Sequence, residues 1–105
     1  MSVAPAPNPA PLLSEARLAK ALNDPKRWII LRELAKGEAL PVQELARRAG
    51  STPNMTSKHM AVLREAGVVV SGYGQLYQLA PGLRPAPGAR MLDLGHCHLR
   101  LDAPG

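Results

Sequence analysis

A mainly α domain closed by a small β-hairpin is the fold class this sequence predicts, and three observations predict it. Helix start and stop signals alternate along residues 14–67: Ser14, Asp24-Pro25, Pro41 and Thr52-Pro53 open, while Asn23, Gly37, Gly50 and Gly67 close. After Gly67 the apolar pattern shortens to a strand period around Gly72-Tyr73-Gly74, which supplies the glycines of a tight hairpin. The 105 residues leave room for one core, and 46% hydrophobic but only 3% aromatic residues mean that aliphatic side chains must fill it. A core that thin favours support from a second copy, so a homodimer is expected.

The elements follow in order. Residues 1–11 are proline-rich and uncharged, and are expected to form an extended tail. Ser14 caps a first helix with Glu15 in its first turn and Leu18, Ala19 and Leu22 as its apolar stripe. Asp24 caps a second, with Pro25 at the first position, running to Lys36. Trp28, Ile30, Leu31, Leu34 and Ala35 share one face of it, which leaves Ile29 in need of another surface. Pro41 opens a third helix that buries Val42, Leu45, Ala46 and Ala49, and Gly50 closes it. Thr52 and Pro53 start a fourth that ends at Ala66. Two short helices joined through a glycine form a helix-turn-helix, whose second helix can enter the DNA major groove.

Val68 to Ser71 and Gln75 to Leu79 then form a wing. The expected organisation is a tail over 1–11, a winged helix-turn-helix over 12–80, a proline and glycine linker over 81–89, and a strand-like dimerisation segment over 90–105 with Gly95 as a bulge. The dimer interface is expected to combine the first helix with residues 90–101. No segment reaches the length of an apolar membrane span and no signal core is visible, so a soluble cytoplasmic protein without membrane contact is expected.

Thirteen lysines and arginines against eight acids give a net charge of +5, which favours a polyanion such as double-stranded DNA as partner. On a helical wheel the fourth helix turns Thr56, Met60 and Leu63 inward and Asn54, Ser57, Lys58 and Ala61 outward. Asn pairs with adenine through two hydrogen bonds, Lys reaches guanine or phosphate, Ser donates to either, and a small Ala permits close approach. His59 lies nearer the buried edge, as a packing or phosphate contact. Arg47 and Arg48 complement the negative end of the third helix and are within reach of phosphates.

The runs Asp24-Pro25-Lys26-Arg27-Trp28-Ile29-Ile30-Leu31, Leu45-Ala46 and Ser57-Lys58-His59-Met60-Ala61-Val62-Leu63-Arg64-Glu65-Ala66-Gly67-Val68-Val69 resemble the ArsR-type winged-helix repressors. The resemblance implies a homodimer that binds a pseudo-palindromic operator and releases it on a chemical signal. It places Asn54, Met55, Ser57, Lys58 and His59 where the family's DNA contacts lie; Thr52, Arg47 and Tyr73 complete the expected DNA-binding set. Three features depart from the family. The third helix, PVQELARRA, lacks the C-x-C pair of metal-sensing members, the C-terminal region lacks a ligand-bearing helix, and the wing Ser71-Gly72-Tyr73-Gly74-Gln75 carries no arginine.

His96, Cys97 and His98 are the one ligand cluster. As a single strand they would alternate, burying Cys97 with Leu99 and Leu101 and exposing both histidines, so one strand cannot offer all three to an ion. The expectation is therefore no cofactor and a buried, structural Cys97. A metal-responsive repressor using these three residues stays open as an alternative, as does a winged helix that docks proteins without reading DNA. No phosphate loop, carboxylate pair or nucleophile set points to an enzyme.

Overall fold

The computed structural model describes residues 13–102; the expected tail over residues 1–11 lies outside them. Four helices come first, α1 (Glu15–Ala21), α2 (Pro25–Leu34), α3 (Val42–Ala49) and α4 (Pro53–Glu65). The caps act as their chemistry requires. Ser14 Oγ accepts from the Arg17 amide at 3.3 Å, Asp24 Oδ1 from the Lys26 amide at 2.8 Å, and Thr52 Oγ1 from the Met55 amide at 3.1 Å. α2 is shorter than expected, because after Leu34 the chain tightens into i→i+3 bonds from the Lys36 and Gly37 amides, 3.3 and 3.1 Å long.

One core gathers Leu18 and Ala21 of α1, Ile30, Leu31 and Leu34 of α2, Leu45 and Ala49 of α3, and Met60 and Leu63 of α4. Ala21 takes the place expected for Ala19, which is exposed, since it follows Leu18 by three residues. Trp28 leaves the expected apolar face and is 40% exposed; its indole N–H reaches back to the Leu22 carbonyl at 2.7 Å, holding the ring across the α1–α2 corner.

The wing is antiparallel, β1 (Val69–Ser71) on β2 (Tyr77–Leu79), with Val69 opposite Leu79 and Ser71 opposite Tyr77. Leu40 adds a bridge, its amide donating to the Tyr77 carbonyl at 3.0 Å and its carbonyl accepting from the Tyr77 amide at 2.8 Å. Gln75, expected in the second strand, sits instead in the turn at φ 61°, after Gly74 at φ 70°.

The C-terminal segment differs most from expectation. It is a hairpin rather than one strand: β3 (Met91–Asp93) pairs with β4 (His98–Arg100), Met91 opposite Arg100 and Asp93 opposite His98. Asp93 Oδ1 accepts from the Gly95 amide at 2.8 Å, and Gly95 at φ 89° supplies the reversal that a bulge would not. Leu92 and Leu94 enter the shared core. The His96 ring donates through Nε2 to the Leu13 carbonyl at 2.6 Å, and Arg32 Nε donates to the Arg100 carbonyl at 2.8 Å. Residues 81–89 are bound as well, through buried Leu83 and through Arg84 Nε, which donates to the Leu79 carbonyl at 2.9 Å. The segment thus finds a partner within its own chain, as does Ile29, which packs partly buried near Leu101 and the 85–89 stretch.

The turn also overturns the expected burial of Cys97, which is exposed. Alternation applies only along a strand, and Cys97 precedes one. Replacing Cys97 with Ser is therefore expected to change the unfolding free energy by less than about 0.5 kcal/mol, as read from urea denaturation. A loss above 1 kcal/mol on the same scale would contradict an exposed thiol. Among the described residues no helix is long and apolar enough to cross a membrane.

Candidate nucleic-acid interface

The turn between α3 and α4 is built on Gly50, which stands in the left-handed region at φ 65°, ψ 41°. A Cβ there would lie 3.5 Å from Lys26 Nζ, an ordinary contact, so backbone conformation rather than space makes glycine the fitting residue. The Ser51 amide donates to the Ala46 carbonyl at 2.9 Å. Lys26 reaches across from α2 and donates to the Ala49 and Gly50 carbonyls at 2.9 and 3.0 Å, satisfying the negative end of α3.

α4 leaves this turn with Thr56, Met60 and Leu63 fully buried and Asn54, Ser57, Lys58 and Ala61 exposed. The amide, hydroxyl and ammonium of the outer set share one face near the helix N-terminus. Met55 beside them is 46% exposed. Thr52 spends its side-chain oxygen on the cap while remaining at the surface. Tyr73 projects fully exposed from the wing tip, between neighbours that carry no charge.

The arginines after α3 divide. Arg47 is exposed and paired with Glu44, whereas Arg48 turns inward to Glu33 at 3.1 Å, Glu38 at 3.3 Å and Glu44 at 2.7 Å. Hydrogen bonds from Arg47 and then Arg48 hold the Glu44 carboxyl down at about 2. Arg48 is thus committed to holding α3 on α2.

His59 is the packing residue that its place near the buried edge predicts, and its burial corrects the DNA contact that the resemblance implies for it. It is 5% exposed and faces the interior, where its Nδ1 accepts from Arg27 Nη1 at 2.8 Å, so it is a packing residue of α4 and not part of the outer face. Arg27 also donates from Nε to the Ala21 carbonyl at 2.6 Å and from Nη2 to the Lys20 carbonyl at 3.2 Å, joining the end of α1 to the inner side of α4. Lys26 and Arg27 were missed by sequence reasoning. A signal for them exists: two cations in the first turn of a helix oppose its dipole and call for partners elsewhere.

Burial, reinforced by the charges of Arg27 and Lys26 against that of Asp24, lowers the His59 pKa below 6.5. The folded state therefore binds this proton less readily than the unfolded state does. Stability from this site is full above about 6.5 and is lost as pH falls from there through the lower folded value. Thermal melts between pH 7.5 and 5.5 are expected to show a falling Tm, with part of the fall removed by His59→Gln; an unchanged slope in that variant would exclude His59 as its source.

The ligand cluster does not converge. His96 Nε2 is held by Leu13 while its Nδ1 stands 3.9 Å from Glu15 Oε2, His98 Nε2 lies 3.5 Å from Asp93 Oδ1, and Cys97 faces solvent between them. Among the described residues no three His, Cys, Asp or Glu side chains gather around a common point that could hold a metal ion.

Residues 22–71 match a helix-turn-helix domain family, a span from the end of α1 to the end of β1. The HTH-type transcriptional regulator CmtR of Mycobacterium tuberculosis is 45% identical over 58 residues, 55% of this chain and 48% of the relative. The HTH-type transcriptional regulator YgaV of Escherichia coli K12 is 38% identical over 56 residues, 53% of this chain and 57% of the relative. The chain spans about half the length of these curated relatives. The solution NMR structure of the cadmium metal-sensor CmtR from Mycobacterium tuberculosis superposes with a TM-score of 0.52 at 44% identity, covering 62% of this chain and 70% of that one. The donor groups described above do not form a site fitted to such an ion.

Proposed function

This chain belongs to the ArsR-type winged helix-turn-helix regulators, and from that premise we propose that it binds double-stranded DNA sequence-specifically as a homodimer and represses transcription from an inverted repeat. The observation that carries the reading is the outer face of α4, where Asn54, Ser57 and Lys58 stand exposed together on a helix whose other side is locked into the core. In this reading residues 12–80 read DNA, with Thr52, Met55, Arg47 and Tyr73 flanking the face. Arg47 must exchange Glu44 for a phosphate, and Tyr73, fully exposed at the wing tip, is the wing side chain assigned to a groove contact. Residues 90–105 serve dimerisation through the outer side of the C-terminal hairpin, where Met91 is 50% exposed, together with α1. The site of action is the cytoplasm, and the reading assigns no catalysis.

Selection of bound duplexes from a random pool tests this. The expected product is an inverted repeat with half-sites about 10–10.5 base pairs apart, the spacing a two-fold dimer imposes. A pool that stays random after selection would overturn DNA readout in favour of protein docking.

A further inference from the structure

Between α2, the 85–89 stretch and Leu101 lies a cavity of about 540 Å³, within the roughly 300–1,000 Å³ of ligand pockets. Ile29, Pro85 and Leu101 give it apolar walls, and Arg32, Glu33 and Lys36 form its charged edge on α2. The charges on that edge are not equivalent. Glu33 is paired with two cations, held by Lys36 Nζ at 3.0 and 3.1 Å and by Arg48 Nη1 at 3.1 Å. Among the described residues Arg32 has no acid opposite it and its two Nη nitrogens have no hydrogen-bond partner, while its Nε donates to the Arg100 carbonyl at 2.8 Å. A guanidinium carries five N–H donors, so the terminal ones are free for a second planar acceptor. The cavity thus combines apolar walls with one unmatched cation.

We propose that this cavity is a binding site for a small organic anion, an apolar body bearing one carboxylate, with the carboxylate on Arg32 and the body against Ile29, Pro85 and Leu101. Arginine takes a carboxylate through two parallel hydrogen bonds, which a neutral or cationic analogue cannot supply. The site also communicates with α3. Glu33 at its edge is one of three acids that hold Arg48 and the one on α2, so an anion on Arg32 whose charge also draws on the neighbouring Lys36 changes how Glu33 is shared between Lys36 and Arg48. That this communication regulates DNA binding rests on the reading given above; occupancy of the cavity and its effect on α3 do not.

The full chain, without DNA, is titrated with 1-naphthoate, its neutral analogue 1-naphthalenemethanol and the cationic 1-naphthylmethylamine, by calorimetry and by amide NMR. The expected result is saturable naphthoate binding at one per chain, about tenfold or more tighter than either analogue. Arg32→Gln is expected to remove that preference while leaving the weak binding of the alcohol unchanged, and Arg32→Lys to restore part of it. Equal affinity for the three probes, or an Arg32→Gln variant that folds and still prefers naphthoate, would overturn the site. Naphthoate is also expected to shift amides of Glu44 to Ser51, and shifts confined to α2 and residues 85–89 would overturn the link to α3. Because none of these readouts uses DNA, their failure is separable from failure of DNA readout.

Discussion

Replacing Arg27 with methionine is expected to lower the unfolding free energy by about 2–3 kcal/mol, since it leaves partly buried acceptors without donors while keeping most of the packing of the stem. Its guanidinium serves the Lys20 and Ala21 carbonyls at the end of α1 and the buried His59 ring on α4. Urea denaturation of Arg27→Met, His59→Leu and the double variant isolates the pair. The double variant is expected to lose less than the sum of the singles, because each single strands the other partner. Additive losses would mean that the 2.8 Å contact carries no energy of its own. On DNA, Arg27→Met is expected to weaken the selected duplex more than random DNA, because a reader helix free to rotate about its axis loses base contacts before it loses charge.

Asn54→Ala and Lys58→Ala are expected to fail in different ways. The Asn54 amide offers a donor and an acceptor, so its loss costs about 1–3 kcal/mol on the selected duplex and little on a scrambled one. Lys58 brings a charge on a flexible stem, and as a phosphate contact its removal weakens both duplexes alike and reduces the slope of log K against log salt by about 0.9. Titrations of both variants on both duplexes at several salt concentrations decide the matter. If neither variant changes binding, the outer face of α4 is not the reader.

Helix boundaries were legible in the sequence wherever a cap announced them. Ser14, Asp24-Pro25, Thr52-Pro53 and Gly50 all stand where chemistry put them, because each satisfies orphan backbone groups locally. The inner and outer faces of α4 were legible for the same reason, since rotation about one axis needs no knowledge of the rest of the fold. What sequence could not show was where long side chains go. Arg48 reads as a group within reach of phosphates, and the resemblance counts His59 among the DNA contacts, yet each is drawn inward by partners on α2. The C-terminal segment was misread because alternation is the same for one strand and for two. The choice between them was made by Asp93 and Gly95, whose side-chain oxygen and positive φ form a turn inside what looked like a continuous pattern. Burial of Cys97 failed with it.

The hydrogen bond from His96 to the Leu13 carbonyl spans 83 residues of sequence and joins nearly the two ends of the described chain. During synthesis, Leu13 leaves the ribosome long before the residue that secures it has been translated. At roughly 5–20 residues per second, the interval between them is about 4–17 s. Through that interval the hairpin that brings Leu92 and Leu94 into the common core does not exist, and the helical part must wait with that side of its apolar surface open. Nascent chains are therefore expected to depend on residues 91–100 for closure, so that premature termination anywhere before Leu92 releases a sticky fragment, a natural client for chaperones, rather than a smaller working protein.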